Sequence, residues 1–200
     1  MAQTTVSAGG QSIGVAGQIA DSAEGRDIVS GFNKEASNQI PFGAGVRVQP
    51  GSNGDGFLLA SGFSGGAAGM EVAGINVFSY NHFKQGAADP LGNYAGDLGG
   101  SGLLPNAGMQ IGREGRWIVP VEIAVVAGDR PWCRGVPTGS SSSANAQGFW
   151  AGTGYNAAGA GSSYMIDCTR QGVFRSGTYT AADGVTKVAI LEVDFTNKSF

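Results

Sequence analysis

The only histidine in the chain, His82, sits in Tyr80-Asn81-His82-Phe83-Lys84. An imidazole works as a general base beside a nucleophile it can deprotonate, or as a metal ligand beside a second donor. No Gly-x-Ser-x-Gly elbow accompanies it and no second histidine offers a metal pair, so His82 reads as a structural residue. Cys133, in Pro131-Trp132-Cys133-Arg134, lacks a nucleophile's context. Its spacing to Cys168 fits no zinc template, and two thiols in a chain made in the cytoplasm read as free and buried rather than paired. Gly152-Thr153-Gly154-Tyr155-Asn156-Ala157 has the letters of a dinucleotide fingerprint but sits in a Gly/Ala/Ser stretch, without the strand and helix that the mechanism requires. Asn53-Gly54-Asp55-Gly56 hints at a calcium loop, but the first carboxylate and the distal bidentate Glu are missing. Glu192 and Asp194 alternate with apolar residues and face solvent along a strand, which is no acid/base pair without a cleft. The reading is a non-enzyme with no catalytic residue, no metal site and no cofactor.

If the residues do no chemistry, their work lies in the surface they build. The chain has 36 glycines among 200 residues, and only 14% of it is charged, against roughly 25% in an ordinary globular protein. Glycine loses the most conformational freedom on folding, so long helices are disfavoured and short strands joined by tight turns are expected. A sparsely charged surface suits packing against protein. The net charge is −3 and the 12 basic residues are scattered, which argues against a nucleic-acid partner. Met1 to Gln18 carries no Lys or Arg and does not look like an export signal. No run approaches the roughly 18 apolar residues that span a bilayer, so no membrane partner is expected.

The clearest strand signal is Arg116 to Val126. There Trp117, Val119, Val121, Ile123 and Val125 fall on one face and Arg116, Pro120 and Glu122 on the other. Pro120 cannot donate to a ladder, which predicts a sheet edge or a bulge. Val185 to Phe195 is a second strand, preceded by Asp183-Gly184 as a tight reversal and by Gly177 to Ala181 as its partner. Gly45 to Val48, Phe57 to Ala60 and Gly74 to Tyr80 are shorter candidates, with turn chemistry from Pro50 to Gly56 between the first two. Asp21 to Ala36 is a short helix or an extended arm: Asp21 and Glu24 have capping-box spacing and Ile28, Phe32 and Ala36 recur every fourth residue, while Gly25, Gly31 and Ile28-Val29 weaken a helix. Gly86 to Gly112 and Val136 to Ser163 lack strand patterning and read as long loops. Phe149, Trp150 and Tyr155 in the second argue against disorder, because ordering an aromatic is repaid only by burial. The fold expected is all-β, a jelly-roll-like sandwich or small β-barrel with long Gly/Ser/Ala-rich loops. Residues 1–43 form an N-terminal arm and turn belonging to the same domain, and 44–200 form the β-rich body with its long loop at about 136–163.

The order of these segments resembles the structural cement, or capsid decoration, proteins of tailed bacteriophages. The likeness is carried by Gly17-Gln18-Ile19-Ala20-Asp21-Ser22, Asp27-Ile28-Val29-Ser30, Asn33-Lys34-Glu35-Ala36 and Ile40-Pro41-Phe42-Gly43 leading into Ala44 to Val48. It continues in Gly74 to Tyr80, in Glu114 to Glu122 with Ala127 to Cys133 after it, and in Val188 to Phe195. The resemblance implies a protein on the exterior of the virion capsid, synthesised in the bacterial host's cytoplasm. It would dock on the major capsid protein, bridge its subunits and self-associate as a dimer or trimer. On that footing the contact residues expected are Arg26, Asp27, Phe32 and Asn33 of the arm and Ile40, Pro41 and Phe42 of the turn. The loop from Val136 to Ser163 looks longer than the family pattern. It supports a rival reading, a fibre-tip or glycan-binding module that uses Phe149, Trp150 and Tyr155 as a stacking platform.

Overall fold

The computed structural model describes residues 14, 16–20, 27–36, 39–49, 55–60, 71–78, 102–103, 106–135, 147–153, 165–181 and 186–196. These hold thirteen strands and no α-helix: β1 (Asp27–Asn33), β2 (Ile40–Pro41), β3 (Gly45–Val48), β4 (Gly56–Leu59), β5 (Gly74–Asn76), β6 (Gly102–Leu103), β7 (Gly108–Pro120), β8 (Trp132–Arg134), β9 (Trp150–Ala151), β10 (Met165–Asp167), β11 (Gly172–Phe174), β12 (Tyr179–Thr180) and β13 (Lys187–Asp194). Of the two all-β architectures expected, the barrel is the one formed. The ladder β1-β4-β3-β5-β7 closes because β1 also pairs with β7, giving a five-stranded barrel. Only β1 and β4 run parallel in it, with Phe32 opposite Gly56; the other neighbours are antiparallel. Period two then sends Val46, Phe57, Leu59, Met109 and Ile111 into the interior with Ile40, Phe42, Ala44 and Leu103.

β7 is thirteen residues long and outruns the barrel. Its first half completes the closure, and its second half pairs residue by residue with β13, from Glu114 opposite Asp194 to Pro120 opposite Val188. The other edge of that half is taken by Gly17 to Ala20. Gly17 N–H donates to Ile118 O (2.7 Å), Ile118 N–H to Gln18 O (2.9 Å) and Ala20 N–H to Arg116 O (2.9 Å). A second core follows, in which Trp117, Val119, Leu191, Val193 and Phe195 pack against Cys133, Trp150, Ile166 and Phe174. The residues from the other side come largely from a small sheet ordered β10-β8-β9. Two glycines are required by close approach. A Cβ at Gly112 would lie 2.3 Å from the Trp117 indole, and Gly17, at φ +82°, brings its backbone against Asn76 and Phe78.

Several sequence expectations change here. From Asp27 onward the segment predicted as helix or arm is neither: β1 is a paired strand of the barrel. The apolar repeat of four is also two repeats of two, so Ile28 and Phe32 share a face of a strand as readily as of a helix. Gly31, which weakened the helix, is needed because a Cβ there would lie 2.3 Å from the Phe57 ring. The strand expected from Arg116 begins at Gly108 and ends at Pro120, in the middle of the sheet rather than at its edge. Pro120 is tolerated because its missing N–H faces the same side as Ile118, beyond the last bond to Gly17. Glu122, expected to face solvent, is buried at 7% exposure. β6 and the start of β7 lie within the first stretch predicted as loop, and β9 within the second. The hairpin partner of β13 is β12, as expected. Asp183-Gly184, His82 and Tyr80 lie outside the described residues.

Candidate interaction surface

β1 alternates between the barrel interior and its outside. Val29 packs on the barrel core and Asn33 is buried, whereas Ile28, Ser30 and Phe32 form an outward row. Ile28 is 40% exposed and Phe32 45%, two large apolar side chains on one face. The Lys34 ammonium sits 5.5 Å from the centre of the Phe32 ring, within range of its negative face. An apolar groove of about 300 Å³ runs beside Phe32, lined by Ser30, Gly31, Asp55, Gly108, Met109 and Gln110.

The seven residues expected to touch a partner therefore separate. Phe32 stands out from the surface, and Asp27 is partly exposed and pairs with Arg113 at 3.3 Å. Asn33 is buried: its Nδ2 donates to Leu103 O (2.7 Å) and its Oδ1 accepts from Glu35 N–H (2.8 Å). Ile40 is wholly buried in the barrel, and Phe42 is buried edge-on to Phe78 with ring centres 5.1 Å apart. Pro41 is half-buried in β2, which pairs with β6. Arg26 lies outside the described residues. Ile28, the neighbour of Phe32 on the outward row, was missed. Its every-fourth spacing to Phe32 fits one face of a helix as well as one face of a strand, so the sequence leaves its direction open.

The aromatic platform is corrected by burial. Trp150 is fully buried and its Nε1 donates to Gly43 O at 2.9 Å, while Phe149 is 6% exposed. A stacking platform needs an open ring face, which neither has. Tyr155 lies outside the described residues.

Several of the charged groups are held in ion pairs. Arg175 and Arg116 both hold Glu192, Arg175 through Nη2 at 2.6 Å and Nε at 3.0 Å, Arg116 through Nε at 2.5 Å. These hydrogen bonds, Arg175's foremost, lower the Glu192 pKa to about 2. The adjacent open cleft of about 410 Å³ is lined by Arg116, Arg130 and Arg170 and by Glu114, Glu192 and Asp194, so its charges balance. Arg134 and Glu122 form an ion pair with side chains 0% and 1% exposed, Nη2 donating to Oε2 at 2.8 Å and Nε to Oε1. Burial raises the Glu122 pKa and the guanidinium opposes it. Enclosed on all sides, this carboxylate holds the end of β7 to β8 and meets no substrate. Cys133 and Cys168 are buried thiols that no disulfide joins, and burial pushes the Cys133 thiol well up, away from the reactive thiolate. Among the described residues no three His, Cys, Asp or Glu side chains converge as a metal site.

A comparison with curated proteins returned no match. The described residues thus form a barrel with an outward apolar row on β1 and arginines held in ion pairs. Residues 2–191 match the family described as structural cement protein (E217 gp24/Pam3 gp6), and the chain therefore belongs to this family of non-enzymatic phage structural proteins.

Proposed function

We propose that this cement protein binds the outer surface of the phage head, bridges neighbouring major capsid protein subunits and stabilises the closed shell. The observation that carries the reading is the pairing of Ile28 and Phe32 on the outward face of β1. A lone exposed apolar residue needs no explanation, but two on one rigid strand beside an apolar groove suit a protein contact. Phe32, Ile28 and Asp27 touch the shell. Asn33, Ile40 and Phe42 act from beneath, by fixing β1 and the following turn to the barrel.

Stabilisation follows from mass action. A ligand that binds the assembled lattice and not the free subunits shifts the equilibrium toward the lattice. Modest contacts repeated over the shell add up, because each copy that bridges two subunits makes their separation require breaking both of its contacts. The test uses heads assembled without this protein. Added wild-type chain co-sediments with them and raises their disruption temperature, and Phe32→Ser lowers co-sedimentation at least tenfold while its own melting curve is preserved. Unchanged co-sedimentation of a folded Phe32→Ser variant overturns the contact face, and absence of wild-type co-sedimentation overturns the function.

A further inference from the structure

Where β7 leaves the barrel its backbone is disturbed twice. Asp27 stands opposite Glu114 but Ile28 opposite Gly112, so Arg113 is the extra residue of a bulge. Gly115 follows at φ +119°, a conformation that a residue with a Cβ rarely adopts. Bulges and strained positions recur where side chains are re-aimed for function. Here Glu114 and Gly115 line the open cleft of about 410 Å³.

The charges of that cleft are equal in number but sorted by side. β13 lies between β7 and β11. On the β7 side Glu114 stands directly opposite Asp194, an arrangement in which like charges repel. Asp194 accepts from Thr196 N–H (2.9 Å) and Thr196 Oγ1 (2.6 Å), whereas Glu114 has no ion-pair partner among the described residues. On the β11 side, Arg130 Nη1 donates to two backbone carbonyls, Thr169 O (3.5 Å) and Gly172 O (3.3 Å), and Arg170 is exposed in the turn before β11. Neither guanidinium is paired with a carboxylate among the described residues. Between the two sides Arg116 and Arg175 clamp Glu192.

We infer that this cleft receives an extended segment of the major capsid protein that carries a basic and an acidic side chain, the basic one over Glu114 and Asp194 and the acidic one between Arg130 and Arg170. The inference rests on the shell-binding reading and adds to the apolar row of β1 a second contact of different chemistry. A polyanion would meet Glu114 and Asp194, and a polycation would meet Arg130 and Arg170, so only a ligand with both signs matches both sides. Adjacent strands lie about 4.8 Å apart, which separates β7 from β11 by roughly 10 Å. That is the span of about three extended residues, so one peptide strand reaches both sides. A second copy of this chain would present the same concavity and leave it unfilled. Charge pairs of this kind fix the register of docking, and reversing one of them sets like charges together.

The experiment measures binding of the full chain to heads assembled without it, over a range of salt concentrations. Arg170→Glu and Glu114→Lys, on different strands, each lower the affinity about tenfold and flatten its salt dependence, with melting curves unchanged. Lys187→Glu, which alters the net charge as much as Arg170→Glu but lies outside the cleft, binds as wild type does. In a second arm a photo-crosslinking residue replaces Gln171 in the cleft, and illumination of the loaded heads joins it to the major capsid protein. Wild-type affinity in both cleft variants overturns this inference and leaves the shell-binding reading standing, as does an equal loss in Lys187→Glu. Crosslinking of the bound protein only to a second copy, or to nothing, overturns it too. Wild type that fails to bind heads overturns both.

Discussion

The ion pair of Arg134 and Glu122 is the residue on which the second core most depends. Both side chains are sealed from water, so removing one partner leaves the other charge buried and unanswered. Arg134→Ala is expected to destabilise the protein by about 3–5 kcal/mol in urea unfolding, the cost of breaking a buried pair. Glu192 gives a contrasting case. Its carboxylate ionises more easily in the folded state, with a pKa of about 2, than in an unfolded chain at roughly 4.3. The unfolded state therefore binds the extra proton, and the stabilisation is present above that unfolded value and lost as the pH falls toward 2. The group is partly solvent-screened, so the effect is below about 1 kcal/mol. Glu192→Gln should flatten the stability profile in that acid window and change little at neutral pH, as measured by unfolding at a series of pH values. Neither role was legible from residue types. Glu122 was expected in solvent because strict alternation was extended past Pro120, where the strand ends, and the arginine that rescues its burial is twelve positions away on another strand.

Elements with one face buried and a regular period were readable. Trp117 and Val119 against Arg116, and Leu191 and Val193 against Glu192 and Asp194, announced β7 and β13 because alternation is the physical mark of a half-buried strand. β2, β6, β9 and β12 are two residues each, too short for any period to be expressed. β1 was obscured by the coincidence that a repeat of four fits both a helix and a strand. Its closure with β7 joins segments roughly eighty positions apart, a pairing no local pattern encodes. Two predictions belong to this scale. Gly112→Ala drives a methyl into the fully buried Trp117 ring and should cost about 1–3 kcal/mol or more, in line with overpacked cores. Deleting residues 1–32 removes nearly all of β1, so the barrel opens along both β4 and β7. The truncated chain should lack the cooperative thermal transition that an N-terminal arm could be trimmed without losing.

At the scale of the whole molecule, the barrel and the second core share β7 as a common wall, and the segment Gly17 to Ala20 laces its far half to the body. Neither core can lose that strand and keep its lining. Thermal unfolding followed by tryptophan emission, which reports Trp117 and Trp150 in the second core, should coincide with far-ultraviolet circular dichroism, which reports the whole sheet. Two separated transitions would show the cores to be independent. The recognisable order of segments along the chain reflects this architecture more than any binding residue, since most of the quoted stretches lie in or beside β1, β2, β5, β7 and β13.

The continuity of β7 also has a mechanical consequence. A single extended backbone of thirteen residues reaches about 40 Å at the usual rise per residue, and its neighbours run antiparallel along it on both sides. Tension along that axis loads its lateral ladders together in shear, whereas a pull across it would peel them apart one after another. A protein fastened through β1 at one end of this strut and strained from the other would yield at its attachment before its interior came undone.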